Sequence, residues 1–128
     1  DVFGWAVVFA IHLRACVERG RLWQADYALN ELRERALALA CIRRGLRSSY
    51  GRGFDELPHD LLARFADARA PAVSVADLCA AAAKGIELLL AEATDIDARA
   101  ATLEPDLRGV QHWFLERAMG LAPRSAIS

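Results

Sequence analysis

Leu22-Trp23-Gln24-Ala25-Asp26-Tyr27-Ala28-Leu29-Asn30-Glu31-Leu32-Arg33-Glu34-Arg35-Ala36-Leu37-Ala38-Leu39-Ala40-Cys41-Ile42-Arg43-Arg44 decides the fold class. Leu22, Ala25, Leu29, Leu32, Ala36 and Leu39 recur at steps of three and four, the spacing of one helix face in a bundle. No Gly or Pro interrupts the run, and Ala, Leu, Glu and Arg are strong helix formers. Glu31 and Arg35 stand one turn apart on the opposite face, in the order that favours an ion pair. Gly45 follows as a stop signal.

Upstream, residues 2–19 predict a first helix, apolar on nearly every side at its start. Such a helix is central or packs on a partner, a second copy of the chain included. Gly20 fits the position just past its end. Downstream, Ser48, Ser49, Gly51 and Gly53 predict a loop that Leu57-Pro58 closes. A short helix follows over about 59–69, with Pro71 ending it. Ser74 and Asp77 are spaced as a helix cap and its acidic third residue, opening a helix that runs to about Ala93. Its stripe is Leu78, Ala81, Ala82, Gly85, Leu88 and Leu89, small enough in places for another helix to approach closely. Residues 94–103 carry no decisive period. A last helix is expected over Pro105–Met119, with Pro where a missing N–H is harmless. The expected fold is therefore all-α, an up-and-down bundle of about five helices over residues 1–120 with a flexible tail over 121–128.

With 128 residues and 55% hydrophobic content, the chain can bury a core in one domain. A net charge of −1 gives no basic footprint for nucleic acid. The local group Arg43, Arg44, Arg47 and Arg52 reads as a solvated helix end, where cations complement the dipole. Cys16, Cys41 and Cys79 are odd in number and widely spaced, which fits buried thiols in a reducing cytoplasm. The apolar run Val2–Ile11 is too short to span a membrane. The chain begins at Asp1, inside that run, which suggests a domain cut from a longer protein.

Four polar or aromatic residues flank the apolar stripe of the second helix. On a wheel of 100° per residue, Asp26 and Arg33 lie beside it, Asn30 falls between them, and Trp23 borders the same edge. They form either an internal hydrogen-bond network or one wall of a polar-ligand pocket with Trp23 as its stacking plane. Glu18, four residues after Arg14, is either half of a surface ion pair or a carboxylate able to take a proton from a substrate hydroxyl. His12, His59 and His112 lack metal-ligand spacing, so no metal site is expected. Asp95-Ile96-Asp97 reads as an interhelical turn rather than a divalent-metal pair.

The run Glu18-Arg19-Gly20-Arg21-Leu22-Trp23-Gln24-Ala25-Asp26-Tyr27, then Leu32-Arg33, Leu39-Ala40-Cys41, Gly45-Leu46 and Gly51-Arg52-Gly53-Phe54-Asp55-Glu56-Leu57-Pro58, resembles the helical C-terminal half of bacterial nucleotidyltransferase-domain proteins. These are relatives of the kanamycin-type aminoglycoside nucleotidyltransferases. The resemblance implies an N-terminal α/β domain, absent here, that binds nucleoside triphosphate and Mg²⁺ through Gly-Ser and paired aspartates. It implies no cofactor in the helical domain itself. That domain would help hold a small polar acceptor, with Glu18 as general base and Trp23, Asp26, Asn30 and Arg33 as acceptor-binding residues. Two other readings stay open. One is a HEPN-type bundle (an RNase toxin, or the partner of a minimal nucleotidyltransferase), whose Arg–His hallmark Arg52 and His59 match in count but not in helical continuity. The other is the ligand-binding bundle of a TetR-type regulator.

Overall fold

The apolar periods become five α-helices in a computed structural model that describes residues 1–121. They are α1 (Val2–Glu18), α2 (Leu22–Arg43), α3 (His59–Ala66), α4 (Val75–Ala93) and α5 (Arg99–Ala118), and the described residues contain no strand. Of the tail expected over 121–128, residues 122–128 lie outside the described residues. Two short 3₁₀ turns, Ser49–Gly51 and Phe54–Glu56, shape the link between α2 and α3.

Gly20 makes the corner between α1 and α2. Its φ of 71° is left-handed, and the Gly20 and Arg21 amides donate to the carbonyls of Val17 and Cys16 at 3.1 and 2.9 Å. These two bonds satisfy carbonyls that the helix end would leave open. At the other end of the chain's helical order, the Ser74 hydroxyl accepts from the Asp77 amide at 3.2 Å and starts α4 where its spacing predicts.

Contacts between helices fix their directions. Phe9 meets Tyr27 and His12 meets Gln24, so α1 and α2 are antiparallel. Leu32 packs against Gly85 while Arg43 and Arg44 reach Asp95 and Glu92, so α2 and α4 run the same way. Glu87 meets Arg108 and Ala83 meets Gln111, so α4 and α5 are antiparallel. Asp1 pairs with Arg99 and Arg14 stacks on Trp113, so α1 and α5 are parallel. The four long helices therefore run up, down, down, up. The link across residues 44–74, which includes α3, carries the chain back between the two parallel helices.

Helix α2 lies between α1 and α4, so its buried surface is wider than the narrow stripe read from sequence. Ala25, Leu29, Leu32, Ala36 and Leu39 are buried as expected, and Ala28, Leu37, Ala40 and Cys41 join them. Gly85 has Leu32 where its own Cβ would sit within 3.3 Å, so the small-residue stripe of α4 does accept a neighbouring helix. Helix α1 is not enclosed. Phe3, Ala6, Ala10, Leu13 and Val17 are buried, whereas Trp5, Val8 and Ile11 are exposed.

Three expectations change. The bundle is all-α as expected, but its long helices do not simply alternate up and down, because the long 44–74 link joins the parallel α2 and α4. Helix α5 starts at Arg99, so Pro105 lies inside it rather than at its first turn. The preceding Asp97 carboxylate accepts from the Arg99 amide at 2.9 Å, and Ala100 is buried; these anchor the extra turns ahead of the proline. Arg43 and Arg44 do more than complement a helix end. Arg44 is 2.5 Å from Glu92, a carboxylate only 3% exposed, and Arg43 spans Asp95 at 2.6 Å and the Ala91 carbonyl at 3.2 Å. Burying Glu92 requires such partners, since an unpaired charge there would be costly.

Candidate functional site

Glu18 occupies the last turn of α1, exposed, with its carboxylate 3.4 Å from the Arg14 Nε. It opens onto a groove of about 490 Å³ between α1 and α5, shared with Arg14, His112, Trp113, Glu116 and Arg117. His112 and Glu116 pair at 2.7 Å. The guanidiniums of Arg14 and Arg117 lie 4.9 and 4.5 Å from the Trp113 ring centre, a cation–π arrangement. The groove thus combines two carboxylates, two guanidiniums, an imidazole and an indole. Sequence reasoning named Glu18 but missed His112, Trp113 and Glu116. They come from α5, and no local pattern announces that α5 runs parallel to α1.

The remaining four candidates sit on α2, and two of them are joined. The Arg33 guanidinium donates to Asn30 Oδ1 at 2.7 Å and to the Ala68 carbonyl at 3.2 Å, tying α2 to the chain just past α3. Burial pulls the Arg33 pKa down, and the nearby Arg69 adds to this, while Glu34 and Asp26 oppose it. This is the internal network that the wheel allowed. Asp26 is half-buried and has no hydrogen-bond or ion-pair partner among the described residues. Trp23 is 77% exposed, so its ring is open to solvent at the Gly20 corner. Glu18, Trp23 and Asp26 share that corner end of the bundle, but Asn30 and Arg33 face α3. None of these four α2 residues lines the Glu18 groove.

A larger cleft lies at the opposite end of α1. It measures about 700 Å³ and is lined by Asp1, Val2 and Trp5 of α1, Glu34, Arg35 and Ala38 of α2, and the loop residues Ser48–Gly51 and Phe54. Trp5 and Glu18 are separated by about 20 Å along the helix, at 1.5 Å per residue. The two longest of the five strings that carry the resemblance therefore end up apart: the Glu18 string at the corner, the Gly51–Pro58 string beside this cleft. A third hollow, over Ala66–Pro71, involves the end of α3 and the chain that follows it.

Arg52 and His59 lie on separate elements, the loop and the start of α3. Asp95 and Asp97 form the turn between α4 and α5. Asp95 is held by Arg43, and both Asp97 oxygens by Arg99, at 3.0 and 2.7 Å. The Arg99 bonds keep the Asp97 carboxyl below its ordinary range. Two carboxylates already neutralised by guanidiniums do not fit a divalent-metal pair. Among the described residues, no group of three or more His, Cys, Asp or Glu side chains converges on a metal-sized point. No helix among them is long and apolar enough to cross a membrane. All three cysteines are buried and free, and burial raises the Cys79 thiol to about 11. Comparison with protein-family models, curated proteins and solved structures gives no match.

Proposed function

We propose that this chain is the acceptor-binding helical domain of a nucleotidyltransferase. Glu18 is the carboxylate that takes the proton from the acceptor hydroxyl, and the catalytic α/β domain with its Mg²⁺ and nucleoside triphosphate is a separate part. The observation that carries the reading is the groove between α1 and α5. Glu18 is exposed there beside Glu116, His112 and Trp113 on two packed helices. Carboxylates suit an amine-bearing acceptor, and Trp113, with Arg14 and Arg117 over its ring, gives the groove a firm wall. Rigid helices hold such groups better than loops do.

The role assigned to Glu18 is proton acceptance as the hydroxyl oxygen bonds to the α-phosphorus of the nucleoside triphosphate and the bond to the β-phosphate oxygen breaks, releasing pyrophosphate. Arg14 keeps the carboxylate oriented through the 3.4 Å contact. Trp23 and Asp26, near the same corner, extend the surface an acceptor would meet. Asn30 and Arg33 act by fixing α2 to the chain just past α3, which holds that surface in place. The isolated 128 residues are expected to transfer no nucleotide from labelled ATP with Mg²⁺. They are expected to bind amine-bearing, hydroxylated acceptors weakly, read by calorimetry against Glu18→Gln. Label transfer by the isolated chain, or acceptor binding that Glu18→Gln leaves unchanged, contradicts the assignment.

A further inference from the structure

Tyr50 is the most exposed large aromatic side chain of the described residues, at 92%, and its backbone is in the left-handed region (φ 57°, ψ 25°). A non-glycine residue there costs stability and persists only where its surroundings impose it. The surroundings do. A Cβ on Gly53 would collide with the Arg47 carbonyl, so the two ends of the 47–53 loop touch backbone to backbone. Leu57, just beyond, is buried in the core. The loop is therefore braced, and it holds a ring in solvent that the fold itself uses only as a seat for Arg52, 5.3 Å away.

That ring stands at the 700 Å³ cleft, with Trp5 and Phe54 also on its walls. Trp5 is 55% exposed and is supported from behind by Phe9 at 6.1 Å. The charges around the cleft are unequal in their freedom. Arg35 is 2.5 Å from Glu31 and lies over Phe9, and Asp1 is 2.5 Å from Arg99. Glu34 has no ion-pair partner among the described residues. Exposed aromatic planes beside a carboxylate without a direct ion-pair partner are complementary to an organic cation. We infer that this cleft is a binding site for a small alkylated ammonium ligand, held by Trp5 and Tyr50 with Glu34 as counter-charge. It lies at the other end of α1 from the Glu18 groove and does not depend on the nucleotidyltransferase reading.

The test is calorimetric titration of the 128-residue chain with benzyltrimethylammonium, benzyl alcohol and benzoate. The cation should bind saturably and at least about tenfold more tightly than the neutral alcohol or the anion. Glu34→Gln should weaken the cation at least about fivefold. Tyr50→Gly should abolish its binding while the melting temperature stays level or rises, because glycine relieves the left-handed strain. Equal binding of cation and alcohol, wild-type affinity in either variant, or no cation binding up to about 10 mM would overturn the proposal.

Discussion

Gly53 is the residue on which the loop after α2 depends, and the reason is space rather than backbone freedom. Its φ is −100°, which any residue can adopt, but a side-chain carbon would strike the Arg47 backbone. Gly53→Ala should therefore destabilise the chain by about 1–3 kcal/mol, the usual cost of forcing atoms into a filled site. Chemical denaturation reads this directly, and an unchanged midpoint would show that the loop yields. The glycines and serines of residues 46–58 announced a loop in the sequence. Its bracing, and the left-handed Tyr50 it presents, were not legible, because both follow from a contact between residues on opposite sides of the loop. Glu18 and its pairing with Arg14 were readable from four-residue spacing. The groove that Glu18 faces was not, since its other wall is nearly a hundred residues away in the chain.

Helix existence and most helix ends were legible, for local reasons. Periodicity, the Gly20 corner and the Ser74 cap act within a few residues, and the structure has them at the predicted places. Helix α5 shows the limit of that reading. Its early start depends on Asp97 bonding the Arg99 amide and on Ala100 reaching the core, neither of which a pattern around Pro105 reveals. Two predictions belong to this scale. Leu32 is fully buried and packs onto Gly85, so Leu32→Ala should cost about 2–5 kcal/mol; a loss below the lower figure would mean α2 and α4 close the gap. The second prediction concerns Glu87, which joins α4 to α5. Its hydrogen bonds from Gln111 and then Arg108 hold the carboxyl below the usual 4.5. A lowered folded pKa stabilises the protein above the unfolded value, and the gain disappears as pH falls through the folded value. The pair is solvent-exposed, so Glu87→Gln should lower stability near neutrality by at most about 1 kcal/mol. Melts across an acid series should show that difference close at low pH, and a gap that widens instead would reverse the sign.

For the whole molecule, the order up, down, down, up follows from one long connection. A short α2–α4 turn would force those helices antiparallel, whereas the 44–74 link lets them run together and brings α5 parallel to α1. That arrangement makes both candidate sites. It seats α5 against the end of α1 to form the Glu18 groove, and it lays the braced loop across the start of α1 to form the cleft at Trp5. The polar residues of α2 divide between two surroundings. Asn30 and Arg33 bind the fold together, and Trp23 and Asp26 remain at the open corner. Under the proposal, Glu18 serves nucleotidyl transfer to an acceptor. The most direct measurement is transfer of label from ATP, with Mg²⁺ and a panel of aminoglycosides, by this domain joined to the proposed α/β domain. Glu18→Gln should lower turnover by about 10²–10⁴-fold, the worth of a general base, with the melting temperature nearly unchanged. Turnover that Glu18→Gln leaves intact, or no transfer by the joined protein at all, would contradict it.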